Sequence, residues 1–164
     1  MAVFLMVALQ ALDAPAQDVL HRHAAHTMLR DIAIDGSSGA VFVAAYAREE
    51  IWKLSATGEP IATAKTGSGP VALALSLDGR LVACVNKLSA SVMVFDAESL
   101  TLRKTFACGE GAAAVAAAGN SAFAIANSLA DTVTVVELES GKTALLEDVG
   151  RVPNAVAFSD SVLA

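Results

Sequence analysis

The chain has 164 residues, 55% of them apolar and only 17% charged, so it must bury much of its surface, which excludes a disordered protein. Eleven basic against seventeen acidic residues leave a net charge of -6 and no Lys/Arg cluster, which excludes nucleic acid as an electrostatic partner. No stretch supplies the roughly 20 apolar residues of a membrane-spanning helix.

Residues 1–16 (MAVFLMVALQALDAPA) carry an apolar stretch from Ala2 to Leu9 and then Ala14-Pro15-Ala16, a small-x-small pattern that suits signal peptidase. They read as a secretory signal, although the leading residues hold no Lys or Arg. The alternative reading is an extra strand. Cleavage leaves a chain starting at Gln17 in the periplasm, in the medium or on the cell surface. Residues 17–26 (QDVLHRHAAH) are placed as an outer strand ahead of the first repeat.

From residue 30 onward the sequence repeats itself. Residues 71–110 echo 113–151, with Asn86 and Asn127 spaced by 41. Gly67, Gly109 and Gly150 recur at 42 and 41, and Pro70, Ala112 and Pro153 keep the same steps. The copies are bounded at 30–70, 71–112 and 113–153, with a partial copy at 154–164. Each holds four short runs that alternate or are continuously apolar, which are strand signatures. Asp35-Gly36, Asp78-Gly79 and Gly119-Asn120 stand between first and second runs, where a hairpin needs residues tolerant of positive φ. Thr57-Gly58 and Ser140-Gly141 stand between third and fourth. The fourth run is the most polar and is expected to face water. A lone four-stranded sheet with two apolar faces is not stable, so each copy must pack on the next.

The order Gly-x-x-Pro, apolar strand, Asp-Gly, a strand ending in Asn, then Ser-x-Ser-Val-x-Val-Phe-Asp resembles the YVTN repeat of β-propellers. Its core motif reads VACVN at 82–86 and FAIAN at 123–127, with VFVAAY at 41–46 a degenerate copy. The resemblance covers residues 30–164 and implies an all-β fold of four-stranded antiparallel propeller blades. It also implies an exported protein of seven blades, of which about three and a half are present. An incomplete ring or open arc is therefore expected, completed by missing sequence or by self-association, or left open.

Chemistry is sparse. Gly141-Lys142-Thr143 lacks the upstream glycine of a phosphate loop, because Val136 stands there, and it joins two strands. His21, His23 and His26 lack a carboxylate or fourth ligand and read as solvated, so no metal or cofactor is expected. No serine lies in a nucleophile-elbow pattern. Cys84 and Cys108 fall two strands apart in one blade, beyond disulfide reach, and read as free thiols. The candidate binding residues are Tyr46, Trp52, Asn86, Lys87, Asn127 and Arg151, with loops 87–90, 128–131 and 151–154 as presenting segments. Asn86 and Asn127 carry a competing structural reading, a side chain bonded to its own turn backbone, and Trp52 one of packing between blades. The sequence points to a non-catalytic scaffold for a protein or other macromolecule. The alternatives are the propeller portion of a larger haem-associated redox or hydrolytic enzyme and a surface-layer component.

Overall fold

The computed structural model describes residues 28–157. The segment read as a signal, the strand placed at 17–26, the three histidines and the end of the partial copy lie outside the described residues. Among the described residues, twelve strands form three antiparallel sheets in which sequence neighbours are also spatial neighbours. Blade 1 holds β1 (Leu29–Ile34), β2 (Val41–Ala45), β3 (Glu50–Leu54) and β4 (Pro60–Lys65). Blade 2 holds β5 (Pro70–Leu75), β6 (Leu81–Asn86), β7 (Ser91–Asp96) and β8 (Leu102–Ala107). Blade 3 holds β9 (Ala112–Ala117), β10 (Ala122–Asn127), β11 (Thr132–Glu137) and β12 (Thr143–Leu146). Strand β1 lies against β5, and β5 against β9, so the first strand of each blade is the inner one.

The register explains why the repeat alternates between 41 and 42 residues. Ile34 pairs with Val41, Leu75 with Val82 and Ala117 with Phe123, so the third hairpin is one residue shorter than the others. Equivalent second strands are therefore VFVAA, VACVN and FAIAN. Ala45, and not Tyr46, occupies the asparagine position of blade 1.

Side chains on alternate positions of a strand point to opposite faces, and both faces of each second strand are apolar. Phe42, Ala44 and Ile51 of blade 1 pack on Leu73, Val82, Cys84 and Phe95 of blade 2. Ala83, Val85, Val92 and Phe106 on the other face of blade 2 pack on Phe123, Ile125 and Val136 of blade 3. Every blade thus has a forward face toward the following blade and a rear face toward the preceding one. The second strands are the most buried and β12 is exposed throughout, in line with an outer strand facing water.

The turns use different residues for one purpose. Asp35 accepts from the backbone N–H of Ser37 (3.0 Å) and Ser38 (3.3 Å) and from both hydroxyls. Gly36 is not the residue that supplies positive φ there, contrary to expectation; Gly39 does, at +72°. The Asp35 carboxylate already organises the start of the turn, so the left-handed residue is needed only where the chain re-enters the sheet. Ser55, Asp96 and Glu137 occupy equivalent positions in the third-to-fourth hairpins, and each accepts from backbone N–H groups two or more residues on. Gly58 and Gly141 supply the positive φ there, with Leu100 in blade 2 at +55°.

Hydrogen bonds to a carboxylate favour its charged form. The Ser38 hydroxyl, followed by the N–H and hydroxyl of Ser37, lowers Asp35 to about 2, and the Ser140 hydroxyl and N–H lower Glu137 to about 2. Asp96 is lowered chiefly by the Ser99 N–H, and Asp78 chiefly by the Ser76 hydroxyl. A group whose pKa is lower folded than unfolded contributes stability that is present above its unfolded value and lost as pH falls through its folded one. Thermal stability should therefore fall as pH drops from about 4.5 to about 2. In melts followed by circular dichroism, Asp35→Asn should flatten that slope; an unchanged slope would show that the turn carboxylates do not set the acid limit.

Candidate functional site

The two repeated markers of the sequence meet in space. A Cβ built on Gly67 would stand 2.5 Å from Ser89 Oγ and 3.1 Å from Asn86 Cβ and Cγ, and one on Gly109 would stand 2.8 Å from Asn127 Cγ. Glycine in each inter-blade linker therefore lies directly on the asparagine that ends the second strand of the following blade. Both asparagines are fully buried. Asn127 Nδ2 donates to Thr132 Oγ1 (3.1 Å) and Thr134 Oγ1 (2.8 Å), and Asn86 Nδ2 to Ser91 Oγ (3.3 Å) and the Cys84 carbonyl (3.4 Å). Neither presents its amide to a ligand, which corrects their candidacy as binding residues. The partners also differ from the expected turn backbone: the amide crosses to hydroxyls of the third strand or turns back to its own strand.

The linkers follow one course. Tyr46 N–H donates to the Met28 carbonyl, Lys87 N–H to Gly69 and Ser128 N–H to Gly111, at 2.8, 2.8 and 3.1 Å. This ties each linker to the turn between second and third strands, in which Glu49, Ala90 and Asp131 all take positive φ. One rim of the arc is thereby assembled from turns 46–49, 87–90 and 128–131 with linkers 66–69 and 108–111. Arg151 belongs to it through its neighbour Val152, whose N–H donates to Asp131 Oδ1 at 2.7 Å.

Of the candidates, Tyr46, Lys87 and Arg151 reach this rim. Lys87 and Arg151 are exposed, and Tyr46 is half-buried with the Arg30 guanidinium 4.9 Å from its ring centroid. Trp52 does not. It lies on the rear face of blade 1, packed against Val41, Val43 and Leu54, with its indole N–H donating to Glu50 Oε2 at 2.9 Å. Sequence reading missed Leu88 and Leu129, which are 67% and 71% exposed at equivalent rim positions. Their signal was an apolar residue recurring at a spacing of 41 inside a polar turn. Glycine fixes both: a Cβ on Gly69 would stand 2.8 Å from Leu88 Cγ, and one on Gly111 2.5 Å from Leu129 Cγ.

Reactive groups are held quiet. Cys84 and Cys108 are free, and burial pushes their thiols up to about 12 and about 11, so neither is an activated nucleophile. Gly141 lies in a β-hairpin at φ +69°, where a Cβ would run into the Lys104 ammonium, so Gly141-Lys142-Thr143 is turn chemistry and not a phosphate cradle. Among the described residues no cluster of His, Cys, Asp and Glu could hold a metal ion, and no helix is long and apolar enough to cross a membrane.

No family model matches the chain, and no curated protein matches it. Solved structures do. The WD40 repeats of RRP9 align at 19% identity with a TM-score of 0.73, over 85% of this chain and 44% of that one. The fold is that of a β-propeller. Kuenenia stuttgartiensis hydrazine synthase aligns at 15% identity and 0.71, over 81% and 41%, and dihydro-heme d1 dehydrogenase NirN at 19% and 0.66, over 79% and 30%. The propeller segment described here thus spans less than half the length of each of these chains.

The glycine contact gives a sharp test. Gly109→Ala forces a methyl against the buried Asn127 and should destabilise by about 1–3 kcal/mol, the usual cost of overpacking. Gly36 has nothing within 4 Å of its Cβ position and no positive φ. Gly36→Ala should be neutral or stabilise by up to about 1 kcal/mol. Urea titration of both variants checks the difference, and equal effects would remove the close contact from the account.

Proposed function

We propose that this propeller segment is an exported, non-catalytic scaffold of the YVTN-repeat kind that binds a protein through the rim of its second-to-third-strand turns. The observation that carries the reading is the recurrence of Leu88 and Leu129, more than two-thirds exposed on rigid turns beside Lys87 and Arg151. Apolar side chains that recur along one rim with polar neighbours supply the apolar centre and polar margin that a protein interface needs. Sheet packing fixes the blades, so the rim turns have little backbone left to order on binding. The net charge of -6 weighs against nucleic acid as the partner. Export rests on residues 1–16, and mass spectrometry of the protein recovered from the producing cells should show a chain starting at Gln17.

A second reading is the propeller portion of a larger redox enzyme, supported by the likeness to hydrazine synthase and to the heme d1 dehydrogenase. A haem Soret band in the natively purified protein would favour it over the plain scaffold. For the rim, the test is capture of a partner from the native extract by immobilised protein, followed by quantitation. Leu88→Asp with Leu129→Asp should weaken capture about tenfold or more, because each places a charge where apolar contact would be buried. Leu77→Asp, exposed in a different turn, should not. Equal capture by all three proteins would remove the rim as the binding surface.

A further inference from the structure

We propose that the outer strand β12 is a self-association edge, pairing antiparallel with β12 of a second copy of this chain and joining the two third blades into one continuous sheet. The outer edges of the three blades are not alike. Strand β4 opens on Pro60, which has no N–H to give, and closes on Lys65, while β8 carries Arg103 and Lys104. Proline and basic side chains on an edge strand discourage pairing with another chain. Strand β12 reads Thr-Ala-Leu-Leu, with neither charge nor proline, and every residue from Lys142 to Asp148 is exposed, Leu145 at 53%.

The open edge has a defined register. Glu137 N–H donates to the Lys142 carbonyl at 2.9 Å, and bonds alternate along an antiparallel ladder. Lys142, Ala144 and Leu146 therefore bond toward β11, while Thr143, Leu145 and Glu147 direct N–H and C=O outward. A two-fold axis at Leu145 sets that residue against its own copy and Thr143 against Glu147 of the second copy, so every outward group from 143 to 147 is met. Charge selects the occupant. The cation Lys142 precedes the strand and the anions Glu147 and Asp148 follow it, so the same axis brings each Lys142 to the acidic corner of the other copy. Opposite charges across an antiparallel pair stabilise it and like charges weaken it. Asp148 takes φ +58°, which ends the extended run there. The other edge of β12 is already bonded to β11, so the assembly closes at two copies. The contact uses the edge of the sheet and covers neither face of blade 3. One strand pair buries less than the roughly 1,200 Å² of a standard interface, so the dimer is weak and concentration-dependent.

Light scattering on the purified chain from about 1 μM to about 1 mM should show the mass rising from one copy toward two. Leu145→Pro removes an outward N–H and leaves the bonds to β11 in place, so it should stay at one copy with an unchanged circular dichroism spectrum. Lys142→Glu alone, and Glu147→Lys with Asp148→Lys alone, should each associate at least about tenfold more weakly than the original chain. An equimolar mixture of those two variants should associate at least as tightly as the original, because each then meets the opposite charge. Should Leu145→Pro fail to fold, the mixture decides by itself. One copy at every concentration overturns the proposal, whether the edge stays bare or takes the strand of another protein. So does a folded Leu145→Pro that associates like the original chain, or a mixture that gains nothing over its components.

Discussion

A four-stranded sheet that is apolar on both faces cannot stand in water, and every feature of this molecule follows from covering each face with the next sheet. At about 25 cal/mol per Å² of apolar area, one uncovered blade face forfeits several kcal/mol, comparable with the whole stability of a small domain. The blades are therefore units of a stack, each stable only through its neighbours. That is why the second strands, packed on both sides, carry VFVAA, VACVN and FAIAN with no charge among them. It is also why the charges gather on outer strands and turns.

Packing of this kind leaves the rotation of one blade on the next poorly specified, since apolar contacts have no direction. Directional contacts at the boundaries supply it. Asp31 Oδ2 accepts from the Leu73 N–H at 2.7 Å between inner strands, Lys53 reaches the Glu98 carbonyl at the periphery, and a linker glycine closes on the asparagine between them. The same linker then pins the rim turn, so the geometry of Leu88 and Leu129 is a consequence of how the blades are joined. Rim and boundary are one piece of structure.

This architecture explains what could be read from the residues and what could not. Period, strand count and turn positions were legible because each rests on local chemistry: alternation for strands, Asp and Gly for turns. The place of the left-handed residue in the first turn was not, because Asp35 and Gly36 look like a turn pair until the carboxylate is seen bonded to Ser37 and Ser38. The role of Asn86 and Asn127 was half legible. Their position at a strand end was clear, but their burial depends on glycines some twenty residues earlier in the chain, a contact that no local pattern encodes. Trp52 was legible in kind, since packing was one of its two readings, but not in place: its ring lies on the rear face of blade 1.

The two asparagines also show how the repeat tolerates imperfection. In blade 2 the Cys84 thiol donates to Asn86 Oδ1 at 3.7 Å, and burial holds that thiol protonated by pushing its pKa up to about 12, so the donor persists across the physiological range. In blade 3 the equivalent residue is Ile125, which has no proton to give, and among the described residues Asn127 Oδ1 has no partner. An unmet buried acceptor costs about 1–3 kcal/mol. Two threonine hydroxyls on Asn127 Nδ2, against a single serine hydroxyl and a long bond to a carbonyl on Asn86 Nδ2, offset part of that loss. Cys84 therefore serves Asn86 as a hydrogen-bond donor and not as a reactive thiol, and in both blades the asparagine fits under a linker glycine even where its oxygen goes unserved.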